Sequence, residues 1–121
     1  MNAKEVGEKL VGYVQAGKNM DAVMDLYADG VISVEAMAPP SGDRTSEGKA
    51  AVIAKNEWWA AQHEVHGGKA EGPFPHGEDR FAVIYRFDIT HKASKQRLTL
   101  EEVGLYQVAG GKVVREEYFY A

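Results

Sequence analysis

A chain of 121 residues with a formal net charge of -4, no cysteine and 26% charged residues has the size of one domain and an ordinary polar surface. The missing cysteine excludes disulfides, thiolate nucleophiles and cysteine-bound metals, and scattered basic residues on an acidic chain argue against a nucleic-acid partner. No apolar run approaches the ~18 residues of a membrane span, and the opening MNAKEVGEKL lacks the apolar segment of a secretory leader; a cytoplasmic location without membrane association is expected.

Residues 3–16 carry Val6, Leu10, Tyr13 and Val14 at helical spacing, which predicts an amphipathic helix ended by AGKN. Asn19 stands where an N-cap belongs, before a short helix, MDAVMDLYA, that turns Met20, Val23, Met24 and Tyr27 inward. Asp29-Gly30 reads as a turn into a strand, VISVEAM, and residues 38–48, with two prolines and two glycines, read as loop. A third helix is predicted from Ser46 or Gly48 through KAAVIAKNEWWAAQHEV, with Val52, Asn56, Trp59 and His63 along one stripe.

After Gly67-Gly68 the pattern becomes strand. KAEGPFPH is interrupted by proline and suits a sheet edge. RFAVIYRFDITHK alternates, with Phe81, Val83, Tyr85, Phe87 and Ile89 on one face. QRLTLEEVGLYQV and KVVREEYFY flank the turn AGG and form a hairpin. Three helices, one early strand and a meander of long strands predict a single α+β domain with helices on one face of a curved antiparallel or mixed sheet.

Three stretches, GYVQAGKNMDAVMDLYADGVISVEAM, SEGKAAVIAKNEWW and LYQVAGGKVVREEYFY, occur in an order and spacing that resembles the nuclear transport factor 2-like superfamily, in particular its SnoaL-like and ketosteroid isomerase-like branch. The resemblance covers nearly the whole chain. It implies a cone: a bent sheet wrapped around the long helix, enclosing an apolar pocket. It also implies a homodimer joined through the outer sheet face, and a small apolar or carbonyl-containing molecule as ligand. Chemistry of the isomerase, dehydratase or cyclase kind would need no cofactor. The superfamily also holds non-catalytic ligand-binding and dimerising modules, because fold does not fix function.

Matched to the isomerase pattern, Glu35 stands where those enzymes carry a proton-shuttling aspartate, and Tyr13 corresponds to a tyrosine that donates to a substrate oxyanion. A carboxylate beside an apolar cavity is a better base near neutral pH, and a phenol in a dry site stabilises enolate charge. The family's third group, a protonated aspartic acid, falls on Val103, with Glu102 turned to the opposite side of the sheet. Hairpin pairing about Gly110 sets Val103 near Glu116, which offers a carboxylate inside the cone as acid or second base. Alternatively REEYFY merely alternates, so that one of Glu116 and Glu117 points to solvent and the other pairs with Arg115 or Arg86. Asn56, Trp59 and His63 on the third helix, with Tyr85, Phe87, Val103 and Tyr118 on the strands, complete the expected substrate wall. His66, His76 and His91 share no metal-ligand spacing, so no metal is expected.

Overall fold

The computed structural model describes residues 1–38 and 42–120. Positions 39–41 of the predicted loop, and position 121, lie outside the described residues. Helix α1 (Ala3–Gln15) opens on a capping box. The Asn2 side chain accepts from the Glu5 amide at 3.0 Å, and the Glu5 carboxylate accepts from the Asn2 amide at 3.2 Å. Ala3, Val6, Leu10 and Val11 form its buried stripe. Gly7 lets the helix settle on the sheet, since a Cβ there would lie 2.6 Å from the Cβ of Pro73.

Helix α2 (Asn19–Leu26) begins one residue earlier than predicted: Asn19 is its first helical residue, and Lys18 at the cap makes no side-chain bond. Its buried stripe is Ala22, Val23 and Leu26, whereas Met24, predicted inward, is exposed. One residue step in a helix turns the side chain by about 100°, so a stripe centred on Val23 leaves Met24 facing water.

The chain passes directly from Leu26 into β1 (Tyr27–Val34), so the predicted turn at Asp29-Gly30 lies within a strand whose ladder is irregular between Tyr27 and Ile32. The strand stops at Val34. Glu35, predicted inside it, is the first residue beyond, and its amide donates to the Arg44 carbonyl at 2.8 Å. Strand β2 (Thr45–Glu47) occupies part of the predicted loop; three residues are too few to show an alternation in sequence.

Helix α3 (Lys49–Gln62) starts at Gly48, whose φ of 90° favours glycine, and stops three residues short of the predicted Val65. His63, Glu64 and Val65 instead open β3 (His63–His76), captured by pairing with His91, Thr90 and Ile89. Strands β4 (Arg80–His91), β5 (Gln96–Ala109) and β6 (Lys112–Tyr120) follow the predicted meander.

The six strands lie in the order β2-β1-β6-β5-β4-β3, with β1 and β6 parallel and every other neighbour antiparallel. This is the predicted α+β class, a mixed sheet with its helices on one face. The core joins α1 and α2 to Val31, Phe81, Val83, Tyr106 and Val113. On α3, Val52 is the buried residue; the rest of its inner face borders a cavity. Among the described residues no helix is long and apolar enough to cross a membrane.

One irregularity in the hairpin decides which acid enters the interior. Gln107 pairs with Arg115 but Val108 pairs with Val113, so Val114 is an extra residue on β6. Strict alternation from Val113 would send Arg115 and Glu117 inward. The bulge sends Glu116 inward instead, and both Val113 and Glu116 are buried.

Candidate functional site

Between α3, the first turn beyond β1 and the inner faces of β3–β6 lies a cavity of about 1130 Å³. Its polar end is built from the two strands that run parallel. Ser33 on β1 stands in register with Glu116 on β6, and the Ser33 hydroxyl donates to Glu116 Oε1 at 2.8 Å. Tyr27 and Tyr118 both donate to Glu116 Oε2, Tyr118 at 2.7 Å. A carboxylate that is 1% exposed is thus satisfied by three hydroxyls, as a buried charge must be.

Lys55 reaches this group from α3. Its ammonium donates to Ser33 Oγ at 2.5 Å and pairs with Glu35 Oε1 at 2.7 Å, while Nζ lies 5.9 Å from the centre of the Tyr118 ring. The Lys55 side chain is 15% exposed and that of Glu35 30%, so the pair sits at the edge of the interior rather than in bulk water. Glu102, on the next strand, lines the same end. Burial, then the charges of Glu35 and Glu116, push its carboxyl from 4.5 up to about 7, against the opposing pull of Lys55.

Behind this end, tyrosines form a chain. The Tyr85 and Tyr106 hydroxyls are 2.6 Å apart, and Tyr106 lies 3.4 Å from the Tyr118 hydroxyl. Burial foremost raises all three phenols above their ordinary value. The opposite end is aromatic. His63 stacks on Trp59 with ring centres 4.4 Å apart, and donates from Nδ1 to the Trp59 carbonyl at 2.9 Å. His91, which the sequence left isolated, lies 5.3 Å from the His63 ring.

Of the residues expected at the site, Glu35, Asn56, Trp59, His63, Tyr85, Phe87 and Tyr118 line the cavity. Three do not. Tyr13 turns outward and donates to Asp25 at 2.8 Å, because the α1 stripe that meets the sheet is set by Val6 and Leu10. Val103 points to the outer face, paired with Ile84 and Phe119, and Glu102 takes the inner position expected of it. The turn closes between Gly110 and Gly111, since Ala109 pairs with Lys112, and the bulge at Val114 adds one more step, so Glu116 pairs with Tyr106, not with Val103. Glu116 is inside the cone as expected, yet it stands behind Ser33, Tyr27 and Tyr118 and is absent from the wall. Glu117 pairs with Arg115 at 2.9 Å on the outer side.

Lys55, Glu102, Ser33 and Tyr27 were missed. A signal for Lys55 existed: it lies four residues before Trp59, on the same helical face. Glu102 had none, since its direction depends on a register that alternation alone leaves free.

The SnoaL-like domain model matches residues 1–120. A crystal structure from Mesorhizobium loti, provisionally described as a SnoaL-like polyketide cyclase, is 41% identical, with 96% of this chain and 97% of that one covered and a TM-score of 0.90. A Bacillus subtilis protein provisionally described as an isomerase is 15% identical, covering 98% and 86%, with a TM-score of 0.78. A Catenulispora acidiphila protein of ketosteroid isomerase-like fold is 17% identical, covering 98% and 87%, with a TM-score of 0.74; both share the fold. Among curated proteins nothing matches. The chain belongs to the SnoaL-like domain family.

Proposed function

We propose that the cavity is a site of cofactor-free proton transfer next to a carbonyl, of isomerase, dehydratase or cyclase type. The observation that carries this reading is a pair of carboxyls on one wall in contrasting surroundings. Glu35 is paired with an ammonium, whereas Glu102 is pushed up to about 7. A carboxylate ion-paired with a lysine, beside a buried carboxyl that keeps its proton up to about pH 7, offers a base and an acid on one wall.

In this scheme Glu35 takes a proton from the carbon beside the carbonyl, and the freed electron pair shifts so that charge gathers on the oxygen. Protonated Glu102 then delivers its proton. Received by carbon as the pair returns from oxygen, it completes an isomerisation. Received by a β-hydroxyl whose C–O bond breaks, it releases water. Solvent, which reaches Glu35, carries the proton back to Glu102 and restores both groups. The apolar lining, with Trp59 and Phe87, suits the hydrocarbon part of such a ligand.

The test is Glu35→Gln and Glu102→Gln, assayed on a panel of enolisable ketones for hydrogen–deuterium exchange at the α-carbon. Loss of exchange by at least tenfold in Glu35→Gln, with ligand binding retained, is the expected result. Exchange at the wild-type rate removes Glu35 as base. A second reading, a binder without turnover, is favoured by the outward turn of Tyr13, which leaves the wall without the expected phenol donor. Tight binding with no exchange in the wild type would select it.

We also propose a homodimer through the outer sheet face. Ile84, Val103 and Phe119 lie side by side across β4, β5 and β6, next to exposed Leu105. A second copy offering the same row would cover it.

A further inference from the structure

We propose that the ammonium of Lys55 receives the oxygen on which charge develops, and that Glu116, through Ser33, positions it for that task. The inference rests on the proton-transfer reading and names the missing donor of that site. An enolate needs a hydrogen-bond donor aimed at its oxygen, in a place where water does not compete.

Tyr120, which also lines the cavity, is 51% exposed, so water competes for its hydroxyl; the other phenols near the site are committed elsewhere. Tyr27 and Tyr118 donate to Glu116, Tyr85 and Tyr106 bond each other, and Tyr13 serves Asp25. Lys55 is different. An ammonium has three donors, and the described residues take two of them, at Glu35 and Ser33. The third has no partner there, and Lys55 is the one lysine or arginine among the described residues lining the cavity.

Its aim is set from behind. The Ser33 proton goes to Glu116 Oε1, so Ser33 can offer Lys55 only a lone pair. The other Glu116 oxygen holds Tyr118, whose ring lies beneath the ammonium. Glu116 therefore fixes both surfaces against which Lys55 rests without touching the ligand. The substrate class that follows is a carbonyl compound whose enolate is planar, with its oxygen at Lys55 and its hydrocarbon body toward Trp59.

A planar oxyanion can be supplied without any turnover. 4-Nitrophenol is titrated into the protein at a pH where the free phenol is part ionised, and the bound phenolate is read by its visible absorption. Nitrobenzene is the neutral comparison. The wild type is expected to prefer phenolate to nitrobenzene. Lys55→Met should weaken phenolate binding about tenfold or more and leave nitrobenzene within about twofold, since one charge-assisted bond is lost and the apolar contacts are kept. Ser33→Ala should shift the bound phenolate spectrum and weaken phenolate selectively, with recovery in Ser33→Thr.

Phenolate binding that is absent in the wild type, or unchanged in Lys55→Met with nitrobenzene affinity intact, overturns the inference. Should Lys55→Met lose nitrobenzene as well, Lys55→Arg decides: a cation at that place must restore the phenolate preference, and failure to do so also overturns it. Phenolate binding that depends on Lys55, combined with unimpaired exchange in Glu35→Gln, would sink the choice of base and leave the oxyanion site standing.

Discussion

Glu116 and Tyr106 face each other across the β5–β6 ladder, and the Tyr118 hydroxyl stands between them, donating to Glu116 at 2.7 Å and lying 3.4 Å from the Tyr106 oxygen. The carboxylate is the hub of the interior. Glu116→Ala orphans the hydroxyls of Tyr27, Ser33 and Tyr118 and opens a void, and should cost about 3 kcal/mol or more. Glu116→Gln keeps the volume and one acceptor and should cost about half as much. Urea unfolding of both variants checks the order; equal losses would mean that the lost carboxylate oxygen, not the void, sets the cost.

Glu102 gives stability a pH dependence of known sign. Its folded-state carboxyl titrates at about 7 against 4.5 for the free group, so between those values the folded chain holds a proton that the unfolded chain has released. Stability from this group is therefore present below 4.5, falls as pH rises through the window, and stays low above about 7. Glu102→Gln should flatten that slope and stabilise the protein at pH 8 by roughly 2 kcal/mol. Denaturant midpoints at pH 5 and pH 8 measure the difference. If Glu102 is the acid of the reaction, turnover in the wild type declines above about pH 7.

Two glycines should respond to alanine with opposite signs. A Cβ on Gly104 would lie 2.8 Å from Tyr106 Cε2 and 2.9 Å from its hydroxyl, so Tyr106 must shift and its bond to Tyr85 must break. A loss of about 1–3 kcal/mol is expected. Gly12, in the last turn of α1, has nothing within 4 Å of such a Cβ, and Gly12→Ala should stabilise by about 0.5 kcal/mol. Thermal melts of the pair distinguish a packing requirement from a general preference.

For the outer face, Phe119→Lys introduces a charge into the row of Ile84 and Val103 without touching the cavity. The wild type should elute with twice the 13.3 kDa chain mass, and the variant with the mass of one chain. A wild-type monomer at micromolar concentration would dispose of the proposed dimer.

Much of the architecture was readable in the sequence because it rests on local rules. The amphipathic stripe of α1, the alternation of Phe81, Val83, Tyr85 and Ile89, and the glycine turn before Lys112 each follow from spacing within one element. The same rules brought Glu35 and Trp59 to the right region, since each is near the end or on the face of an element whose direction was evident. Where the signal needed more than one element, it was silent or misled. Thr45–Glu47 is a strand only because β1 runs beside it, and His63 leaves α3 because His91 pairs with it.

By itself, then, the sequence determined the order of helices and strands, the α+β class and the presence of acids near an apolar interior. Tertiary structure alone decided which acids those are. One extra residue at Val114 shifts the β5–β6 ladder, and a shift of a single position exchanges the two faces of a strand. That is why Glu116 points inward, while the regular pairing of β5 with β4 turns Glu102 inward and Val103 out, and a lysine from a distant helix completes the group.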